Sequence, residues 1–154
     1  MAGVAADGGG GFVNPAGVVV MGHGVDLADV ARIDRMLQEH PERFTERVFT
    51  ALERGYADAG GTRRAERYAA RFAAKEAAMK ALGTGWRSGI AWTDVEVVHG
   101  ADGAPTLRVH GRLAEIAAER GVDAWLISLS HTNDLAMASV IAGRRGSAGP
   151  GSMR

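Results

Sequence analysis

Residues 71–85 read R-F-A-A-K-E-A-A-M-K-A-L-G-T-G, an alanine-rich run that carries one acid and three bases and closes on a glycine loop. Alanine, Phe72, Met79 and Leu82 all favour helix, and Gly83 is the residue type that ends one. With about 100° between successive residues, Tyr68, Phe72, Met79 and Leu82 form an apolar stripe. Glu76 and Lys80 then lie along one flank and Arg71 and Lys75 along the other. The spacing predicts a helix over residues 64–82 that is rooted in a core and turns its polar flanks to a ligand. One acid among bases beside a glycine loop suits a metal and a phosphate.

Upstream, residues 18–26 (V-V-V-M-G-H-G-V-D) are β-branched and glycine-bounded, which predicts a buried strand ending at Asp26. Val30, Ile33, Met36 and Leu37 recur at helical spacing, with Asp29 near the first turn and a stop at His40-Pro41. Phe44, Val48, Phe49 and Leu52 continue a helical or turn-rich stretch, and residues 58–62 (D-A-G-G-T) break it. Downstream, residues 92–98 and 105–110 read as two strands joined by the Asp102-Gly103 turn. Residues 112–120 form a short amphipathic helix closed by Gly121. Residues 125–130 and 135–142 make a second strand pair around H-T-N-D. The predicted fold class is α+β, an antiparallel sheet packed on one long helix.

A chain of 154 residues makes one domain, expected over 17–142, with flexible Gly-rich tails at 1–16 and 143–154. Lys plus Arg and Asp plus Glu are each 18, so no global basic field speaks for nucleic acid, and any polyanion site must be local. Cysteine is absent, which excludes disulfides, thiolate metal sites and cysteine nucleophiles. Residues 17–21 fall far short of the roughly 20 residues of a spanning helix. The expectation is a soluble, cytoplasmic protein without membrane or nucleic-acid partners.

Asp26 sits at a strand-to-helix junction, where a side chain is held firmly and still reaches a cleft. It can equally be a capping acid. Glu76 has an ordinary account as the ion-pair partner of Lys80, four residues on. Together, two hard carboxylates with nearby Lys75 and Lys80 and a G-T-G loop form the type of site Mg²⁺ takes, completed by water and phosphate oxygens. Gly83, Thr84 and Gly85 allow close backbone approach to an anion, or simply cap a helix. They are not a P-loop, because the lysine and hydroxyl residue that must follow are missing. His131 and Thr132 occupy a turn between strands, where a histidine binds phosphate, accepts a proton or hydrogen-bonds the turn. The other histidines have no zinc-ligand spacing, and Ser128 and Ser130 lack the elbow of a serine hydrolase.

Three segments in order, G-H-G-V-D-L at 22–27, residues 71–85, and I-S-L-S-H-T at 127–132, resemble the holo-acyl-carrier-protein synthases, the small single-domain type of 4′-phosphopantetheinyl transferase. The resemblance spans about residues 18–142. It implies that fold, and transfer of the phosphopantetheine arm of coenzyme A to a serine of apo acyl carrier protein in fatty-acid biosynthesis, releasing adenosine 3′,5′-bisphosphate. It implies Asp26 and Glu76 as Mg²⁺ ligands, Lys80 (with Lys75 nearby) against phosphate charge, and Glu76 as proton acceptor, directly or through water. Gly83, Thr84, Gly85, His131 and Thr132 would line the nucleotide pocket, and Arg32 and Arg43 would dock the acidic carrier. A homotrimer with its site between subunits is also implied. The alternatives are another small Mg²⁺-dependent pyrophosphate enzyme or an inactive binding module of the same fold.

Overall fold

The computed structural model describes residues 17–86 and 89–146. The tail expected over 1–16 and the last part of the other, 147–154, lie outside the described residues.

Helix α4 (Arg64–Leu82) is the axis of the domain, and 12 of its 19 residues are buried, so it is surrounded on most sides. One side faces a three-stranded antiparallel sheet in the order β1-β5-β4, built from β1 (Val18–Asp29), β4 (Ala124–His131) and β5 (Leu135–Arg145). The sheet's inner surface is made of small side chains, with Ala136, Ala138, Val140 and Ala142 of β5 all buried. On β1 it is barer still. A Cβ added at Gly22 would be driven into the carbonyl oxygen of Ala81, and one at Gly24 into that of Ala77. Helix and strand therefore touch backbone to backbone.

The larger side chains fill the rest of the core. Phe44 from α2 (Pro41–Val48), Phe49 and Tyr68 form an edge-on aromatic chain, with centroids 5.6 and 4.8 Å apart. Around it pack α1 (Val30–Glu39), α3 (Ala51–Asp58), α5 (Gly111–Glu119) and the hairpin β2 (Val95–His99) and β3 (Pro105–Val109). That hairpin turns at Gly103, whose φ of 80° favours glycine.

The long helix and both strand pairs form as expected, with three differences. β1 runs to Asp29, because Leu27, Ala28 and Asp29 stay in register with Met137, Ala136 and Leu135. Asp26 is thus inside the strand, and Asp29 caps α1, its carboxylate accepting from the Arg32 N–H at 2.7 Å. β5 reaches Arg145, so residues 143–145, expected in a tail, pair with Val18, Val19 and Val20. The third concerns Lys75, which is fully buried and not on an open flank. Its ammonium meets Glu53 at 2.8 Å and donates to the carbonyls of Trp92 and Val95. Lys75 is thereby corrected out of the ligand-binding set.

Glu53 completes this knot. It accepts from Val97 N–H at 2.9 Å and forms a capping box with Thr50, joining α3, α4 and β2. Burial pushes the Lys75 ammonium down from its ordinary range, and Glu53 opposes that. Lys75→Met leaves a buried carboxylate without its cation and is expected to cost about 3–5 kcal/mol in urea unfolding. The double variant Glu53→Gln/Lys75→Met should lose less than the sum of the two single changes; additive losses would show that the pair is not coupled.

Candidate active site

The alternation of β1 directs Gly22, Gly24, Asp26 and Ala28 toward α4. Since Gly24 abuts Ala77 and the Lys80 side chain, the carboxylate two residues on arrives beside that lysine. Lys80 Nζ lies 2.9 Å from Asp26 Oδ1 and also donates to the Val25 carbonyl at 3.1 Å. The Asp26 side chain is 16% exposed and that of Lys80 54%, so the acid is rooted and the ammonium faces outward.

Glu76 precedes Lys80 by one turn and shares its helix face. The two do not form the ion pair that their spacing suggests, because Asp26 has taken the lysine. Glu76 is half-buried, and its Oε1 accepts from the Trp86 indole at 3.0 Å. Among the described residues no group of three His, Cys, Asp or Glu could hold a metal. Two carboxylates, each with one oxygen already bound to a donor, fit a Mg²⁺ that draws its remaining ligands from water and substrate, not an all-protein cage.

Beyond Glu76, Gly83 ends α4 in the left-handed region at φ 74°, its N–H donating to Met79 and Lys80 carbonyls, while Arg120 donates to Leu82 O. Gly85 is left-handed too, at φ 59°. The loop does cap the helix, and the Thr84 hydroxyl is buried without a partner among the described residues.

His131 and Thr132 lie elsewhere. Thr132 Oγ1 accepts from the N–H groups of Asp134 and Leu135 and shapes the β4–β5 turn. His131 Nε2 is 2.9 Å from Arg63 Nη2 and 3.6 Å from Glu66. It opens onto a cleft of about 250 Å³ lined by Tyr56, Arg63, Arg67, Arg71, His99 and His131 among others. Arg71 is only 2% exposed, stacks on Tyr56 at 4.0 Å, and leaves Nε and Nη2 without acceptors among the described residues. Burial lowers its pKa, so an incoming anion would relieve it.

One chain does not join these clusters. Asp26 pairs with Ala138, which pairs with Leu129 at the cleft, so β1 and β4 stand two strand spacings apart, about 10 Å, with β5 between. The glycine loop and the H-T turn are near opposite ends of a 19-residue helix, about 28 Å long. The pocket expected from Gly83, Thr84, Gly85, His131 and Thr132 together is therefore not assembled within a single chain.

Arg32 and Arg43 are exposed, and Arg43 borders a second crevice with Met36, His40, Phe44, Arg47 and Val48. The sequence reading missed Arg63, Arg67, His99 and Trp86 as site residues. A signal existed for the arginines, since positions 63, 67 and 71 repeat every four residues. His23 is 2.8 Å from Ser139 Oγ on the sheet's outer face, a structural role.

A model of the 4′-phosphopantetheinyl transferase superfamily matches residues 22–140. The holo-[acyl-carrier-protein] synthase of Solibacter usitatus is 47% identical over 123 residues, 80% of this chain and 98% of that one. Among solved structures, the holo-[acyl-carrier-protein] synthase of Neisseria meningitidis superposes with a TM-score of 0.73 at 31% identity, covering 80% of this chain and 98% of its own. That of Bacillus anthracis, in complex with CoA (3′,5′-ADP), does so with 0.67 at 33% identity, covering 81% and 97%.

Desolvation, then the charges of Arg71 and Arg67, hold the His99 imidazole below its ordinary 6.5. A dianion in the cleft reverses the balance of charge. In an NMR titration the His99 midpoint should therefore rise when sulfate is added; an unmoved midpoint would show that the cleft does not take anions.

Proposed function

The chain belongs to the 4′-phosphopantetheinyl transferase superfamily, and from that premise we propose that it moves the 4′-phosphopantetheine arm of coenzyme A onto a serine of an apo acyl carrier protein, serving fatty-acid biosynthesis in the cytoplasm. The observation that carries the reading is the strand acid Asp26 lying against the helix flank that bears Glu76 and Lys80. No helix among the described residues is long and apolar enough to cross a membrane.

In this reaction the serine Oγ forms a bond to the β-phosphorus of coenzyme A, and the bond from that phosphorus to the bridging oxygen breaks. Adenosine 3′,5′-bisphosphate leaves. Asp26 and Glu76 would hold Mg²⁺, which when bound supplies charge neutralisation for the pyrophosphate. The exposed Lys80 ammonium, anchored by Asp26, adds a second positive charge for the phosphates. Glu76 accepts the serine proton, directly or through a water, since Oε2 has no hydrogen-bond donor among the described residues. The arginine and histidine cleft takes the phosphate of the nucleotide end. Arg32 and Arg43 receive the acidic carrier protein.

Because the carboxylates and the cleft stand apart in one chain, coenzyme A is proposed to bridge two subunits of a homotrimer. The outer face of the sheet supplies a contact surface. Val25, Leu27, Leu135 and Met137 are all exposed there, Leu27 at 60%.

Mass detection of an apo carrier protein gaining the phosphopantetheine arm tests the activity. Asp26→Ala and Glu76→Ala should each lose at least about 100-fold with the fold intact; turnover like that of the unaltered protein in both would refute the assignment. Arg32→Glu should raise KM for the carrier and leave that for coenzyme A unchanged, whereas equal loss of both contradicts separate docking. His131→Ala should also lose transfer, and mixing it with Glu76→Ala under subunit exchange should restore activity, because the two groups then meet intact between subunits. No recovery would place both groups in one subunit's site.

A further inference from the structure

Glu76 carries both the proposed metal contact and the proposed proton transfer, yet its one hydrogen bond among the described residues comes from outside its helix. We infer that Trp86 is a positioning residue, fixing the Glu76 carboxylate through its indole N–H so that Oε2 is presented to the cation; this deepens the transferase reading and rests on it.

Three observations converge on that role. The left-handed turns at Gly83 and Gly85 send the chain back along α4, so that a residue ten positions on reaches Glu76 Oε1 at 3.0 Å. The indole is itself held. Its ring stacks on Trp92 with centroids 3.8 Å apart and planes 29° apart, and Trp92 stacks on Phe72 at 5.0 Å and 25°. Phe72 lies one turn before Glu76 on the same face of α4, so the stack starts from the helix it serves. Its middle residue is anchored too, since the Trp92 backbone carbonyl accepts from the buried Lys75 ammonium at 3.2 Å. The donor is thus tied to the core and does not hang on a loose loop.

The chemistry of the donor matters as much as its placement. Indole Nε1–H donates and cannot accept, and it carries no charge. It can occupy Oε1 without neutralising the carboxylate or competing for the metal. Lysine at the same place would do both. Asp26 is held differently, its Oδ1 paired with the Lys80 ammonium, so of the two carboxylates Glu76 is the one whose charge no protein cation offsets among the described residues. Groups that orient metal ligands in this way are commonly worth about 10- to 100-fold in metal affinity or activity.

Trp86→Phe tests the inference, since phenylalanine keeps an aromatic ring for Trp92 and removes the donor. Mn²⁺ alone, followed by electron paramagnetic resonance, should bind about 10- to 100-fold more weakly to the variant. Carrier transfer should fall at low Mg²⁺ and recover at high Mg²⁺, with KM for the carrier unchanged. Mn²⁺ affinity equal to that of the unaltered protein would overturn the inference. Should Trp86→Phe fail to fold, Glu76→Gln decides: the Trp86 indole N–H resonance must move, and an unmoved resonance overturns the hydrogen bond as the link. If the unaltered protein binds Mn²⁺ in this Trp86-dependent way and transfers nothing from coenzyme A, the transferase reading fails while the positioning role stands.

Discussion

Strand β1 meets helix α4 backbone to backbone, because Gly22 and Gly24 have no side chain and Ala77 and Ala81 have almost none. That contact sets where everything else goes. It fixes the register between strand and helix, and the alternation of β1 then delivers Asp26 to Lys80 without any loop having to close. A larger residue at either glycine would collide with a helix carbonyl, and the one facing Gly24, that of Ala77, lies inside α4 and cannot move without breaking the helix's own hydrogen bonds. The same close approach explains the alanines. Small side chains on α4 face small side chains on β5, so the sheet packs close against the helix and the bulky residues are displaced to the opposite side.

On that opposite side the domain places charge in its core. Lys75 and Glu53 share one buried pair, and Glu53 also satisfies backbone donors of α3 and β2. Buried ion pairs contribute little net stability by themselves, but they penalise any arrangement that separates them. Here the pair locks the hairpin, α3 and α4 into one relation. It also holds the Trp92 carbonyl, and through the aromatic stack that reaches Glu76. A structural knot and a chemical site are therefore connected by ordinary contacts.

The basic residues of α4 and its approach have three fates despite similar chemistry. Lys75 is sealed in the core, Arg71 is buried with nitrogens left unpartnered at a cleft, and Lys80 is half-exposed beside an acid. The arginines of the cleft and the pair of carboxylates, Glu76 on α4 and Asp26 on β1, lie on different sides of that helix. The proposed sharing of coenzyme A between two chains rests on that division.

Much of this was legible in the sequence. The helix over 64–82, the Asp102-Gly103 hairpin and the H-T turn follow from periodicity and turn chemistry, which are local. Asp26 and Glu76 were legible as candidates because few residue types bind hard cations. What the sequence could not show are the partnerships. Glu76 and Lys80 have ideal spacing for an ion pair, but Asp26, 54 residues away, takes the lysine. Lys75 looks like a surface base until Glu53, on another helix, buries it. β1 looks like a lone strand until β5 arrives from the far end of the chain. By itself the sequence determined which elements form and which side chains have the chemistry, because backbone propensity and functional groups are properties of near neighbours. Only the tertiary structure decided which charges meet, which are buried and which remain open, because pairing and desolvation depend on residues brought together from distant parts of the chain.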